Sequence, residues 1–324
     1  MPDKRIQGIV ASSIKHIMLL GGGTSTAWHI AHTLKKYYAE RIELIICDIN
    51  ERQLVHTSIL ADQYVQVPPI KSPGYYHQML HYLEKYHVDI LIPLIDEDIL
   101  LFSQDNPDLL ALSVYSTAAR REIFLALSDK RNLSQTMDLC GVHTPLIYGH
   151  DAALCPNKNY FVKNAIGCGS RGAKMMKGKE IIRTENQVIQ EVCSGPEITV
   201  DVVVDRGTPF TICRERREIK LGVSTKCRVF WDEEIQSIME KISSKLPLPD
   251  VFCVQFMKSE EKKWVLTDFN LRSGGGTAIS AAIGFEAVRY AAAGWIGVPQ
   301  EKNWLQRPSE DRYVVRTYTE IVTK

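Results

Sequence analysis

The segment VFCVQFMKSEEKKWVLTDFNLRSGGG, residues 251–276, combines two strand-like runs with a set of oxygen-donor side chains. β-Branched and aromatic residues on either side of the charged run KSEEKK predict two strands joined by a turn. Because side chains alternate along a strand, Asp268 and Asn270 point the same way, and Gln255 on the partner strand can face them. Such donors suit a hard cation such as Mg²⁺ or Mn²⁺. An ordinary hairpin with a polar outer face is the alternative.

Composition places the chain among ordinary globular proteins. It is 45% hydrophobic and 24% charged, as globular proteins usually are. Its length of 324 residues is enough for two or three domains with substantial cores. The net charge of +1 argues against a general role in binding nucleic acid or acidic membranes. Eight scattered cysteines, without a CxxC pair, predict reduced thiols. The sequence has no clear signal peptide or membrane-spanning apolar run, so we expect a cytoplasmic location.

The first part of the chain alternates strand-like and helix-like segments. Apolar residues 14–20, 42–50 and 89–95 are typical of buried strands, with helical patterns between them. This alternation predicts a parallel sheet in a Rossmann-like α/β domain. The rest of the chain is α+β, with helical residues 117–145 followed by a region dominated by antiparallel strands.

The glycine-rich segment GCGSRG at 167–172 matches the GxGxxG pattern of dinucleotide-binding proteins. That pattern requires a strand, a tight turn and a helix, whereas residues 173–181 are typical of a second strand. A glycine loop between antiparallel strands can instead act as a flap whose backbone N–H groups close over phosphate oxygens. Lys163, on the entering strand, would add a positive charge. A mobile hairpin turn is the simpler alternative.

A second glycine-rich segment, GGGTST at 21–26, joins a predicted strand to a predicted helix. Asp48 ends the next strand, where a ribose-binding acid would stand. The segment lacks the third glycine of the dinucleotide pattern, and a helix N-terminus can also bind another anion or nothing. An NAD(P)-dependent oxidoreductase using this loop is therefore an alternative function.

The segment 189–201 reads as a strand, a Gly-Pro turn and another strand. Such a connector can present the backbone of Glu191 and Val192 to a purine, and Glu197 to a ribose hydroxyl. By composition alone it is also an ordinary β-turn.

The segment 213–228 concentrates six basic side chains in two strand-like runs. Only alternate residues of a strand share a face, so about half of them can line a cleft. Arg214 and Lys226 are our first candidates for contacts with a substrate anion. A solvated strand pair balanced by Glu215 and Glu218 is the alternative.

Taken in order, these segments resemble the ATP-grasp superfamily, especially its carboxylate–amine ligases similar to the carbamoyl-phosphate synthase large subunit. The matching residues are SDK (128–130), GVHTP (141–145), YFVKNAIGCGSRGAK (160–174), IQEVCSGPEITVDVVVD (189–205), VQF (254–256) and DFNLRSGGG (268–276). The resemblance implies a Rossmann-like pre-ATP-grasp domain at 1–115. It also implies an ATP-grasp N-terminal and lid subdomain at 116–188, and a C-terminal subdomain with the metal site at 189–324.

The resemblance also implies a role for each matching position. The residues that would contact ATP are Lys130, Lys163, Gly167, Gly169, Ser170, Arg171, Gly172, Glu191, Val192 and Glu197. Gln255, Asp268 and Asn270 would hold one or two Mg²⁺ or Mn²⁺ ions. Arg272 and Lys163 would act in catalysis. The chain departs from the family at Asp268, where glutamate is usual, and at Leu271, where proline is common.

This resemblance implies an ATP-dependent ligase that activates a small carboxylate as an acyl-phosphate and joins it to an amine. A small-molecule kinase of the same fold and a catalytically silent ATP-binding regulator are further alternatives. The expected partners are small molecules, without nucleic acid or membrane. A homodimer is one expectation, because many members of the superfamily form dimers.

Overall fold

The N-terminal part of the chain forms a parallel sheet of five strands. The computed structural model describes residues 14–167, 172–220 and 223–323. The strands of this sheet are β1 (Lys15–Leu20), β2 (Ile42–Asp48), β3 (Gln63–Gln66), β4 (Ile90–Ile92) and β5 (Tyr115–Ser116). Their spatial order is β3-β2-β1-β4-β5, and every neighbouring pair is parallel. This is the doubly wound order of Rossmann-like sheets.

Helices cover both faces of the parallel sheet. They are α1 (Ser25–Tyr38), α2 (Tyr75–Lys85), α3 (Asp96–Leu101) and α4 (Pro107–Ala111). The glycine-rich segment 21–26 lies between β1 and α1, and the Thr24 hydroxyl accepts a hydrogen bond from the Ala27 N–H. This side-chain cap satisfies one of the N–H groups that a helix start leaves unpaired.

A helical pair and a small antiparallel sheet follow. The helices are α5 (Arg121–Ser128) and α6 (Lys130–Cys140), and the strands are β6 (Asn159–Asn164), β7 (Lys174–Lys177) and β8 (Gln187–Gln190). The Asp129 carboxylate caps α6 by accepting from the Arg131 N–H, and Gly141 ends the helix with φ 69°. Strands β6 and β7 pair antiparallel across the glycine loop, so the predicted hairpin is confirmed.

The second half of the chain forms a six-stranded antiparallel sheet. Its strands are β9 (Ser194–Asp205), β10 (Thr208–Lys220), β11 (Val223–Phe230), β12 (Val251–Lys258), β13 (Trp264–Asn270) and β14 (Arg312–Val315), in the order β13-β12-β9-β10-β11-β14. The helices here are α7 (Glu233–Ser243), α8 (Thr277–Ala281) and α9 (Ala287–Trp295). Single-turn 3₁₀ segments lie at Ala39–Arg41, Arg52–Leu54, Gly178–Glu180 and Lys302–Trp304, and a longer one at His56–Leu60.

The two faces of this sheet pack against different helices. Ile198, Val200 and Val202 of β9 point toward α5, α6 and α7 and form the largest core cluster. Val203 of β9 and Ile212 of β10 point to the other face and pack under α8 and α9. Together with the parallel sheet, this confirms the predicted α/β and α+β fold class.

Two local predictions differ from the structure. The Gly195-Pro196 turn is absent, because both residues lie at the start of β9. The register between β9 and β12 shifts between Phe256 and Lys258, which accommodates a proline that has no N–H to donate. The apolar pattern of residues 278–297 predicts one amphipathic helix, but the structure has two, α8 and α9, and Gly284 between them has φ 97°.

Candidate active site

A cavity of about 470 Å³ lies on the face of the six-stranded sheet that carries α8 and α9. Strands β9–β13 and the glycine-rich segment after β13 supply its walls. The lining residues are Glu197, Thr199, Arg214, Arg216, Ile219, Val223, Ser224, Cys253, Gln255, Asp268, Asn270, Arg272, Gly274, Gly275 and Gly276. The structure therefore brings together six of the predicted site residues.

The three predicted metal ligands lie on adjacent strands of this cavity. Gln255 of β12 is directly opposite Asp268 of β13, and Asn270 is opposite Cys253. This register turns the Gln255, Asp268 and Asn270 side chains to one face, as alternation requires. No cluster of three or more His, Cys, Asp or Glu side chains suited to a metal is found among the described residues. The candidate set has one carboxylate and two amides, which suits an ion that takes its remaining ligands from phosphates and water.

Arg272 connects the cavity to the parallel-sheet part of the chain. Its Nε lies 3.3 Å from Asp96 Oδ1, in the first turn of α3. Its backbone N–H donates to the Asn270 carbonyl at 2.8 Å, so the chain turns sharply after the metal ligands. Asp96 was not predicted as a site residue, because the sequence does not indicate which end of the parallel sheet meets β13.

Two lysines lie beside Asp268. Lys130 Nζ is 3.4 Å from Asp268 Oδ1 and donates to the Gly167 carbonyl at 3.1 Å. Lys163 Nζ donates to the Thr267 carbonyl at 3.0 Å. Burial, together with the positive charge of Lys130, lowers the pKa of Lys163 to about 8, although Asp268 acts in the opposite direction. The pair forms a cationic wall next to the candidate metal ligands.

The glycine loop is described only at its two ends. Gly167 and Gly172 have φ values of 133° and 77°, which a residue with a side chain rarely adopts. The other predicted loop contacts, Gly169, Ser170 and Arg171, lie outside the described residues. The Gly167 carbonyl accepts a hydrogen bond from Lys130, so the described start of the loop lies next to Lys130 and Lys163.

The connector after β8 holds Glu191 by both backbone and side chain. The Glu191 N–H donates to the Leu146 carbonyl at 3.0 Å, and its carboxylate accepts from the Leu146 N–H at 3.0 Å. The Glu191 N–H is therefore occupied, so the predicted contact with a purine is limited to the Glu191 carbonyl and the Val192 backbone. Glu197 lines the cavity and accepts from Arg216 Nη1 at 2.5 Å.

Arg214 lies in a buried ion pair behind the cavity. Its Nε and Nη2 both donate at 2.8 Å to Asp201, and Thr277 and Ser280 also donate to that carboxylate. Burial would lower the pKa of Arg214, but contact with Asp201 outweighs it and raises the pKa above its usual value. Both side chains are almost fully buried, so the main role of Arg214 is to stabilise the wall of the cavity through its ion pair with Asp201.

Lys226, the other substrate candidate, does not line the cavity. Its side chain is 54% exposed and pairs with Glu218 at 2.9 Å. Cys227, the next residue, is buried in the cluster under α8 and α9, so Lys226 points to the opposite face of the sheet.

Asp201 was not predicted as a site residue, and Arg216 was included only as one of the six basic residues of segment 213–228. Asp201 stands two residues after the cavity residue Thr199, so strand alternation places both on the same face. An acidic residue within the apolar run of β9 was the available signal. Arg216 is two residues after Arg214 and shares its face, but its pairing with Glu197 depends on the strand register.

The loop proposed for NAD(P) binding is held by Asp48. Its Oδ2 accepts from the Gly23 N–H at 2.6 Å, and its Oδ1 accepts from the Asn50 N–H at 3.0 Å. The carboxylate expected to bind a ribose thus closes the loop between β1 and α1.

The described part of the chain contains no helix long and apolar enough to cross a membrane.

Two family models match separate parts of the sequence. Residues 17–116 match the N-terminal domain of PylC-like proteins. Residues 183–320 match a family described as ATP-grasp in the biosynthetic pathway with Ter operon. No curated protein gives a match to the chain.

Several solved structures are similar to most of the chain. N5-carboxyaminoimidazole synthetase from Staphylococcus aureus is 13% identical, with a TM-score of 0.68, over 89% of this chain and 79% of that one. L-amino acid ligase from Bacillus licheniformis is 8% identical, with a TM-score of 0.70, over 91% and 78%. Biotin carboxylase from Campylobacter jejuni, in a complex with an ATP ligand, is 15% identical, with a TM-score of 0.71, over 94% and 75%.

Proposed function

We propose that this chain, which has the ATP-grasp fold after a PylC-like N-terminal domain, is an ATP-dependent carboxylate–amine ligase. The observation that carries the proposal is the convergence of Gln255, Asp268, Asn270 and Arg272 on one cavity. Lys130 and Lys163 lie directly beside them. Oxygen donors, cations and a glycine loop in one place suit phosphoryl transfer, where catalysis is mostly positioning and charge stabilisation.

ATP would lie between the small sheet and the six-stranded sheet. In this proposal the Glu191 carbonyl and Val192 backbone contact adenine, and Glu197 accepts from a ribose hydroxyl. Lys130, Lys163 and the loop from Gly167 to Gly172 face the phosphates. Arg216 holds Glu197 in place through its hydrogen bond.

Gln255, Asp268 and Asn270 would hold one or two Mg²⁺ or Mn²⁺ ions. A bound ion would supply positive charge against the phosphate oxygens. The three side chains fit this role because they share one face and are oxygen donors.

The proposed reaction has two steps. A substrate carboxylate oxygen attacks the γ-phosphorus of ATP, the bond to the ADP oxygen breaks, and an acyl-phosphate forms. The amine then attacks the acyl carbon, phosphate leaves and the amine loses a proton. Arg272 and Lys163 would stabilise charge on the transferred phosphoryl group. In this proposal, boundaries after residues 115 and 188 divide the chain into a pre-ATP-grasp domain, an ATP-grasp N-terminal and lid subdomain, and a C-terminal subdomain with the metal site.

The test is Mg²⁺-dependent release of ADP and phosphate from ATP, with purified protein and pooled amino acids, dipeptides and other small carboxylates. We expect one pool to stimulate release, and dividing that pool identifies the substrates. A product that keeps the phosphoryl group would indicate a kinase, and tight ATP binding without turnover would indicate a regulator. Absence of ATP binding would overturn the proposal, and protection by NAD(P) instead would favour the oxidoreductase.

A further inference from the structure

The N-terminus of α1 meets the glycine segment that follows β13. A Cβ atom on Gly275 would lie 3.2 Å from Ser25 Oγ and 3.7 Å from Thr26 Oγ1. Gly275 lines the cavity, so the start of α1 stands at the edge of the candidate active site. This junction joins the carboxyl end of β1 to the site on the antiparallel sheet.

Arg316, just after β14, reaches the same junction. Its Nη2 donates to the Gly275 carbonyl at 2.5 Å, and its backbone N–H donates to the Thr225 carbonyl at 2.8 Å. Within residues 14–167, 172–220 and 223–323, no carboxylate lies within ion-pair distance of this half-buried guanidinium. Burial and the nearby charge of Arg214 both lower the pKa of Arg316. A partly desolvated cation without a counter-ion is costly, and an anionic ligand would offset that cost.

The start of α1 adds hydrogen-bond donors to this cation. Ser25 and Thr26 begin the helix, so their N–H groups have no partner within it, and the helix dipole favours an anion there. His29 lies one turn further along, and side chains of a helix lean toward its N-terminus. His29 Nε2 is buried and has no hydrogen-bond partner among the described residues. Burial lowers the pKa of His29 to about 4, so the ring is neutral at pH 7 and can donate from one nitrogen.

We propose that Arg316 and the N-terminus of α1 bind an anionic group of a substrate, either a carboxylate or a phosphate that is not the group undergoing reaction. This inference rests on the proposed ligase function and narrows its substrate to a molecule with a second anionic group. The reacting carboxylate would then lie toward Arg272 and Asp268, across the glycine segment. Arg316 would be a specificity residue, because it contacts the substrate away from the reacting atoms.

Binding of inorganic phosphate and of malonate to the full chain tests this site. Binding is measured by titration calorimetry, with and without saturating MgADP, so that anions entering the nucleotide site are distinguished. Arg316→Met removes the charge, Arg316→Lys keeps it, and Arg312→Met removes an exposed arginine of β14 that pairs with Glu310. We expect Arg316→Met to weaken anion binding at least about tenfold, while Arg312→Met binds as the wild type does.

The outcomes separate this inference from the ligase proposal. Tighter binding of phosphate than of malonate indicates a phosphorylated substrate, and the reverse indicates a dicarboxylate. Equal anion binding by wild type and Arg316→Met, or no MgADP-resistant binding in the wild type, overturns the site. If MgADP does not bind but Arg316→Met still loses the anion, the ligase proposal fails and the anion site stands. If Arg316→Met unfolds, Arg316→Lys must retain the fold and binding within about tenfold, and its failure to bind contradicts the proposal.

Discussion

At the scale of single residues, Asp268 is the only carboxylate among the three candidate metal ligands. Asp268→Ala removes the charge that would balance both a divalent ion and the adjacent Lys130. We therefore expect ATP turnover to fall at least about 100-fold, while the variant stays folded because the side chain lies on the cavity wall outside the apolar core. Steady-state ADP release and circular dichroism measure the two effects.

Glu260→Ala is the matched control for this prediction. Glu260 is an exposed carboxylate in the turn between β12 and β13, away from the cavity residues. Its loss should leave turnover within about twofold of the wild type. Full activity in Asp268→Ala would contradict the metal-site assignment.

Lys163 predicts a pH dependence of nucleotide binding. Its pKa is lowered to about 8, chiefly by burial, so the positive charge is lost as the pH rises through that value. Since the charged form binds phosphate, the dissociation constant for MgADP should increase above pH 8, by up to about tenfold per pH unit. Calorimetric titrations between pH 7 and pH 9 measure the change.

Lys163→Arg provides the control, because a guanidinium stays charged throughout this range. Its MgADP affinity should be independent of pH there, even if the affinity is lower than in the wild type. The stability of the fold should change with pH in the opposite direction to the affinity. Between pH 8 and the ordinary pKa of 10.5, Lys163 is protonated in the unfolded chain but not in the folded one, so the free energy of unfolding should rise with pH. A wild-type affinity that does not change with pH would show that Lys163 is not a phosphate ligand.

At the scale of elements, the glycine segment after β13 is fitted against the buried Arg214–Asp201 pair. A Cβ on Gly276 would lie 1.9 Å from Arg214 Nη1, with the rest of the guanidinium close behind. Gly276→Ala should therefore displace a fully buried ion pair and lower the unfolding free energy by about 3 kcal/mol or more. Urea denaturation measures this loss. Gly149→Ala is the control, because its added Cβ would have no neighbour within 4 Å, and a stable Gly276→Ala would contradict the packing argument.

The pattern of apolar and polar residues predicted the strands and helices better than it predicted the contacts between them. The β12–β13 hairpin and the opposition of Gln255 to Asp268 follow from alternation along two strands joined by a short turn. The order β3-β2-β1-β4-β5 agrees with the predicted Rossmann-like domain, but the place where this sheet meets β13 depends on long-range packing. The contact of Arg272 with Asp96 depends on that packing and could not be read from either segment alone.

Arg214 and Lys226 show how register limits prediction. Arg214 pairs with Val229, and Arg216 pairs with Cys227, so Lys226 falls on the face opposite Arg214. Charge content selected both residues equally, but only the register of β10 against β11 decides which of them reaches the cavity. Asp201 was marked only by being an acid within the apolar run of β9, and its ion pair with Arg214 depends on the register of β9 against β10.

At the scale of the whole molecule, the parallel sheet and the antiparallel half share a hydrophobic core. Val288, Ala292 and Ala293 of α9 belong to the same cluster as Ile17 of β1 and Ile30 of α1. Tyr38 Oη also donates to the Arg289 carbonyl at 2.8 Å. A piece ending at the proposed boundary at residue 115 would expose this shared apolar surface to water, so we expect it to be less stable than the full chain.

Because the core is shared, we expect the backbone amides of the two sheets to lose their protection from hydrogen exchange together. Ala292 is fully buried, and Ala292→Asp places a charge in the core without a partner, which should lower the stability of both halves. Hydrogen exchange should then accelerate in peptides from β1 and β2 as much as in peptides from β9 and β12, since one cooperative opening exposes both. Ala111→Asp, at an exposed position of α4, should leave both sets of peptides protected. Faster exchange confined to one sheet would show that the halves fold independently, and α9 would then be an interface between two stable domains rather than part of a common core.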